Sequence, residues 1–256
     1  MTAAITLTRS DILGRPSFWK VSELGIRQFE HGYPPELLDT ILVKALRMRT
    51  TAAKTNLNLK YLRDAHHHIP EVAQLMHDPV RLARLSELAG VPLEPYPVDF
   101  LGSMITFMGP EDGTVDWHGD SVPVTELVAL SADDVAGGEL AIYRGELDEG
   151  LARLASEGKV PDDRVVRVTH RVGHSIFGQL MGVLHRTAPM TSGTRVTLNL
   201  NLRSATQPHI DDQRLSHLAA ESPDFGWLDP YVSDVRGRQL PSLRATTASA
   251  REDSDA

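Results

Sequence analysis

Three side chains in the middle of this 256-residue sequence have the types and spacing of a metal site. His118 and Asp120 stand two apart in Trp117-His118-Gly119-Asp120, and His185 follows well downstream. Two imidazoles and one carboxylate form a facial triad suited to non-haem Fe(II), and the three open coordination positions can take a cosubstrate and dioxygen. On an extended segment positions i and i+2 point to the same side. One strand end can therefore deliver His118 and Asp120, while a neighbouring strand, Leu184-His185-Arg186-Thr187, delivers the third ligand.

A lone His-x-Asp is weak: with 11 histidines in the chain, about one such match is expected by chance. A second copy, His209-Ile210-Asp211, shows the background. It has no following His and Arg pair, and Asp211 is better explained as a helix N-cap. His118 has better company, because Arg195 comes ten residues after His185 and heads the run Arg195-Val196-Thr197-Leu198-Asn199-Leu200-Asn201-Leu202. Strict alternation puts Arg195, Thr197, Asn199 and Asn201 on one face and the aliphatic residues on the other. If the polar face lines the inside of a barrel, the aliphatic face can pack against helices outside. Charge points the same way. Fe²⁺ with one carboxylate and two neutral imidazoles is cationic, a bound dicarboxylate makes the cluster anionic, and Arg195 returns it to zero, with a guanidinium suited to bidentate capture of a carboxylate.

The elements that must position these residues fall into two groups. Pro34-Pro35 followed by Leu37, Leu38, Ile41, Leu42 and Leu46 predicts a helix over 35–48. Asp78-Pro79 with Leu82, Leu85, Leu88 and Gly90 predicts another over 78–90, and a shorter one starts near Pro70. Residues 1–33 show no period. Strands are expected at 98–108, 122–130, 139–143, 164–169, 174–177, 184–187 and 195–202, with a helical insertion at 147–157. About seven strands suit an all-β sandwich or barrel. One further helix is expected after Asp211 or Asp212. The expectation is one domain over 1–240, mainly β with flanking helices, and a disordered tail over 241–256, where Ser, Thr, Ala and charge show no apolar period.

Composition narrows the function. A formal net charge of −8 with no basic run disfavours nucleic-acid and anionic-membrane partners. The absence of cysteine excludes disulfides, thiol catalysis and iron–sulfur clusters, leaving His, Asp and Glu for any metal. With no apolar h-region near the start and no apolar run of membrane-spanning length, the expected location is the cytoplasm.

His118-x-Asp120, His185 and Arg195-x-Thr197 resemble the iron and 2-oxoglutarate dependent oxygenases of the double-stranded β-helix, or jelly-roll (cupin-like), fold, and Gly137-Gly138-Glu139-Leu140 looks like their strand-turn signature. The resemblance covers about residues 98–203. It implies N-terminal helices packed on the major sheet, and His118, Asp120 and His185 as the catalytic metal ligands for Fe(II). It further implies 2-oxoglutarate chelated through its keto acid end, Arg195 and Thr197 gripping its far carboxylate, and dioxygen as oxidant. The family often has Ser at the position of Thr197, which keeps the hydroxyl. Collagen-type prolyl hydroxylases have Lys at the arginine position, so Arg195 argues against that branch. The helix at 78–90 and the Val91–Pro95 segment look like small bacterial amino-acid hydroxylases and their radical-halogenase relatives. In the halogenases Gly or Ala replaces the carboxylate, so Asp120 implies hydroxylation or another oxidation rather than chlorination; the expected activity is hydroxylation of a small molecule, an amino acid or natural-product intermediate. Two rivals stay open: a metal-dependent cupin dioxygenase or isomerase that needs no 2-oxoglutarate, and a non-catalytic jelly-roll binding protein.

Other residues are weighed against blander roles. His66-His67-His68 reads as a solvated loop, with a substrate lid as the alternative, because three consecutive side chains cannot converge on one ion from a regular element. His170 and His174 have the spacing of a helical zinc pair, yet their valine-rich context favours a strand, where i and i+4 lie about 13 Å apart; structural roles are expected for both. Trp117 walls the site or fills the core. Asn199, Asn201 and Arg203 are possible substrate contacts, and Met104, Phe107 and Met108 are expected in the core.

Overall fold

The computed structural model describes residues 5–54 and 59–252. The first third runs β1 (Thr6–Thr8), α1 (Arg9–Leu13), β2 (Leu24–Glu30), α2 (Pro35–Met48), β3 (Ala53–Lys54), β4 (Lys60–Arg63), α3 (Ala65–His68), α4 (Pro70–Met76) and α5 (Pro79–Ala89). The middle runs β5 (Leu93–Pro95), α6 (Asp99–Gly102), β6 (Ser103–Met108), β7 (Val124–Gly137), β8 (Leu140–Tyr143), α7 (Leu147–Glu157), β9 (Val165–Val168), β10 (His174–Gly178), β11 (His185–Thr187) and β12 (Met190–Ser204). Helices α8 (Leu215–Glu221), α9 (Leu228–Asp234) and α10 (Leu240–Glu252) close the described chain.

Nine strands form the major sheet in the order β1-β2-β10-β7-β12-β6-β4-β3, with β5 pairing onto β12, and β11-β8-β9 form a minor sheet. This is a double-stranded β-helix. In β12 the face carrying Val196, Leu198 and Leu200 packs against Leu38, Ile41 and Ala45 of α2 and Val72 and Leu75 of α4. Leu202 joins Leu85 and Ala89 of α5 in a second cluster. The expected packing of N-terminal helices on the major sheet is present, and it leaves the opposite face of β12 for the interior. Opposite Val196 and Thr197 the register with β7 jumps from Ser131 to Ala129. The extra residue, Leu130, is a bulge beside the cavity, the kind of irregularity that re-aims side chains near functional sites.

The two strongest helix starts behave as expected. Pro35 occupies the first turn of α2, and the Asp78 side chain accepts from Val80 N at 2.9 Å while Gly90 ends α5 at φ +72°.

Several expectations need correction. The aperiodic residues 1–33 contain β1, α1 and β2; β2 is buried on both faces, so it shows no alternation. Residues 99–102 form the one-turn α6 instead of the start of a strand, and Asp99 is held there by His66 and His67. The last helical region starts at Leu215, and Asp211 forms a local turn by accepting from Gln213 N at 2.8 Å, so it caps no helix. The tail expected to be disordered is helical over 241–252; residues 253–256 lie outside the described residues. α9 passes through a π turn (Val235–Gln239) into α10. Ser242 Oγ then donates to Thr206 O at 3.2 Å and lies 2.8 Å from His209 Nδ1. Docking by polar contacts on a stretch rich in Ala and Arg, both good helix formers, leaves no hydrophobic period to read.

Candidate active site

His118 and His185 meet through their backbones: His118 N donates to His185 O at 2.9 Å and His185 N donates to His118 O at 2.8 Å. This antiparallel bridge attaches His118 to β11 at the edge of the minor sheet. Asp120, two residues on, bridges to Met181. The i, i+2 spacing thus presents both side chains of the His-x-Asp from one extended segment.

Each ring is oriented by a main-chain carbonyl. His118 Nδ1 lies 2.7 Å from Asp116 O, and His185 Nδ1 lies 2.9 Å from Val183 O. A carbonyl can only accept, so both Nδ1 atoms carry a proton and both Nε2 atoms turn toward Asp120; burial works to lower the His118 pKa, but the hydrogen bond to Asp120 and its charge outweigh burial and raise it. The two Nε2 atoms lie 3.3 Å and 3.6 Å from the same oxygen, Asp120 Oδ1, and the three ligand atoms lie within 4.8 Å of one another. Burial, together with His118, pushes His185 down to about 4 against the pull of Asp120, so this imidazole is neutral at pH 7. At Asp120 burial works to raise the carboxyl, but His185 and His118 outweigh it and hold the group below the ordinary carboxylate range. A neutral imidazole and an ionised carboxylate are the forms that bind a metal.

The triad opens on a cavity of about 260 Å³ between the two sheets. Its floor is the polar face of β12, Arg195, Thr197, Asn199 and Asn201, and Thr106 and Thr125 join it from the paired strands β6 and β7. Arg195 is 3% exposed. Its guanidinium donates from Nη1 to Gly138 O and contacts Met108 Sδ, while Nε has no hydrogen-bond partner among the described residues. No carboxylate among the described residues forms an ion pair with it, and burial pushes its pKa down to about 10 although Glu139 pulls it upward. The buried hydroxyl of Thr197 also lacks a partner. Gly138 adopts φ +73°, and a Cβ there would sit 3.2 Å from Arg195 Nη1 and 2.8 Å from Met190 Cγ. A side chain at this position would crowd the guanidinium.

The sequence matches no protein-family model and no curated protein. Among solved structures, the non-haem α-ketoglutarate dependent carbocyclase SnoK from nogalamycin biosynthesis shares 16% identity over 80% of this chain and 88% of its own, at a TM-score of 0.56. The epimerase SnoN from the same biosynthesis shares 19% identity over 71% of this chain and 78% of its own, at 0.54. HygX from Streptomyces hygroscopicus, seen with nickel, 2-oxoglutarate and hygromycin B, shares 15% identity over 74% and 86%, at 0.54. The chain has the fold of the iron and 2-oxoglutarate dependent oxygenases. Within that oxygenase fold His118, Asp120, His185, Arg195 and Thr197 all line one cavity.

Residues outside this set are placed as follows. Asn199 and Asn201 line the cavity, as does Met104, which was expected in the core. Arg203 does not; it is a buried clamp on Asp234 (2.5 and 2.6 Å) and Glu94 (2.8 Å). Trp117 is outside the cavity, with the Arg186 guanidinium 4.8 Å above its ring. The decoy His209 and Asp211 hold no common ligand geometry, since Asp211 is 2.9 Å from Tyr96 Oη and His209 faces Ser242. His66 and His67 are not a solvated loop. From the single turn of α3 their Nε2 atoms reach Asp99 at 3.1 and 2.6 Å, and His66 Nδ1 lies 2.7 Å from Ser103 Oγ. Each ring is thus engaged in tying α3 to α6, which carries Phe100 and Leu101 of the cavity wall. The sequence reading missed Tyr61, Arg63, His170 and Gln213 as cavity residues. For His170 there is a signal: it shares the two-residue parity of Val166 and of the fully buried Val168.

Proposed function

We propose that this protein is an Fe(II)- and 2-oxoglutarate-dependent oxygenase that hydroxylates an unactivated C–H bond of a small molecule. The observation that carries the reading is the pairing, in one cavity, of a His/His/Asp triad with a buried guanidinium that forms no ion pair with a carboxylate among the described residues. An uncompensated buried cation is costly, and a dicarboxylate reaching from the triad to Arg195 removes that cost.

The donor set fits the group. Two imidazole Nε2 atoms and one carboxylate oxygen on a single face match Fe(II), and Arg195 Nε with the Thr197 hydroxyl offers donors to a carboxylate. When bound, iron supplies the oxidation chemistry by coupling decarboxylation of 2-oxoglutarate to activation of dioxygen. The chain does the rest. Asp116 and Val183 hold the rings through their carbonyls, Asp120 supplies the negative charge, and Arg195 and Thr197 fix the orientation of the cosubstrate. Leu101, Leu127 and Leu180 line the wall and limit water at the reacting centre. Asp120 fills the position that a halide would need, which favours hydroxylation over halogenation. The solved relatives include an epimerase and a carbocyclase, so the product of the reaction is to be read directly by mass spectrometry.

The test is equilibrium binding of 2-oxoglutarate to the iron-loaded protein without oxygen, followed by succinate release on admitting oxygen. Arg195→Ala should abolish cosubstrate binding while iron uptake persists. Iron-dependent turnover of another kind that survives Arg195→Ala would instead point to a cupin dioxygenase or isomerase.

A further inference from the structure

We propose that His170 is a third side chain holding the far carboxylate of the dicarboxylic cosubstrate, beside Arg195 and Thr197. The inference rests on the oxygenase reading above and deepens it.

Among the described residues, five buried polar atoms without hydrogen-bond partners belong to side chains that line this one cavity: Arg195 Nε, Thr197 Oγ1, His170 Nδ1, Asn199 Oδ1 and Gln213 Oε1, of which the first three can donate to a carboxylate and the two amide oxygens only accept. Buried polar groups are nearly always satisfied, so orphans gathered around one cavity call for a ligand. The strand pairing brings two of them together. His170 lies two residues after Val168, which pairs with Leu140, and Arg195 Nη1 donates to Gly138 O, two residues before Leu140. Both side chains therefore reach the cavity around the start of β8.

The unpartnered donors can share one ligand group. A carboxylate has two oxygens and about four acceptor sites, enough for Arg195 Nε–H, the Thr197 hydroxyl and one imidazole N–H of His170 together. Charge selects the form of the third donor. Burial, reinforced by the neighbouring Arg195, drives His170 well below the ordinary imidazole range, so the ring is neutral and can donate one N–H without adding a second cation beside the guanidinium. Simple packing would not explain a histidine here, because an apolar ring of similar size fills the space without an orphaned nitrogen.

The test uses the full chain loaded with Ni²⁺, which replaces iron without turnover, and reads binding by calorimetry. Three ligands are compared: Ni²⁺ itself, 2-oxoglutarate, and 2-oxobutyrate, which keeps the keto acid end and lacks the far carboxylate. His170→Phe should weaken 2-oxoglutarate about 10-fold or more, as expected for losing a hydrogen bond to a charged group. It should leave Ni²⁺ and 2-oxobutyrate affinities unchanged, and His170→Gln, which keeps a donor, should regain most of the loss. Equal weakening of both keto acids, or no change in either, overturns the proposal in favour of packing. If the phenylalanine variant misfolds, His170→Ala on the same three ligands gives the same discrimination. Failure of the wild-type protein to bind 2-oxoglutarate with Ni²⁺ present would bring down the oxygenase reading itself. That outcome is distinct from a His170 variant that matches a functioning wild type.

Discussion

His118 and His185 are joined by a reciprocal pair of backbone hydrogen bonds, at 2.9 and 2.8 Å, that makes them direct cross-strand neighbours. Their ring centroids are 4.3 Å apart. Because the main chain brings the two together, removing either side chain deletes an imidazole without deleting the bridge. His185→Ala and Asp120→Ala should each lower Fe(II) or Ni²⁺ affinity by more than the roughly 10–100-fold typical of losing an outer contact to a metal ligand. Far-ultraviolet circular dichroism of the metal-free protein should stay unchanged. Metal affinity equal to wild type in both variants would show that these residues are not the ligands.

If Arg195 binds the cosubstrate as proposed, it trades stability for binding. Its guanidinium is buried with no ion-pair partner among the described residues, and burial pushes it down to about 10. Arg195→Met should raise the unfolding free energy of the ligand-free protein by about 1–3 kcal/mol in urea titrations and at the same time abolish 2-oxoglutarate binding. A variant less stable than wild type would mean that the contacts to Gly138 and Met108 outweigh the desolvation of the charge.

Behind the major sheet, Glu126 is fully buried and accepts from Arg81 Nε at 2.7 Å, Tyr33 Oη at 2.6 Å and Ser175 Oγ at 2.7 Å. This pair pins α5 to β7. Glu126→Gln leaves the Arg81 cation uncompensated and should cost about 3–5 kcal/mol, whereas Arg81→Met with Glu126→Leu should recover most of that loss. Urea unfolding of the single and double variants checks it; a single-variant loss below about 1 kcal/mol would contradict the role given to the pair.

Asp211 gives a pH signature away from the His118, Asp120 and His185 cluster. Burial raises its carboxyl from 3.8 to about 6, against hydrogen bonds from Gln213 N and Tyr96 Oη that work to lower it. A folded-state value above the unfolded one means that the folded chain holds the proton more tightly. The contribution is fully present below about pH 4 and is lost as pH rises through about 6. Relative to Asp211→Asn, the wild type should therefore lose stability between those limits. The loss is at most about 3 kcal/mol, and less because the side chain is only partly buried. A wild type that gains on the variant over this range would have the wrong sign.

The shared side of His118 and Asp120 and the two faces of β12 are legible in the sequence for a common reason: both are local patterns, whereas the approach of His185 rests on a strand pairing distant in sequence. His118 and Asp120 share a side by the two-residue strand period, and the Arg195–Leu202 alternation names which residues face the cavity and which meet α2, α4 and α5. The helices at Pro35 and Pro79 announce themselves by proline and capping chemistry. What stays hidden depends on partners distant in sequence. β2 is covered on both faces and so loses its period. His66 and His67 find Asp99, Arg203 finds Asp234, and α10 docks through Ser242 and a π turn, none of which leaves a mark on neighbouring residues. His170 lies between these cases, with its strand parity visible and its neighbour Arg195 not.

The most direct test of the central claim is anaerobic titration of the metal-free chain with Fe(II), then with 2-oxoglutarate, on the wild type and on Asp120→Ala with His185→Ala. One iron per wild-type chain is expected, with 2-oxoglutarate binding only once the metal is present, and neither binding in the double variant. No iron uptake by the wild type, or 2-oxoglutarate binding that survives loss of both ligands, would contradict the assignment of His118, Asp120 and His185 as the centre of an oxygenase.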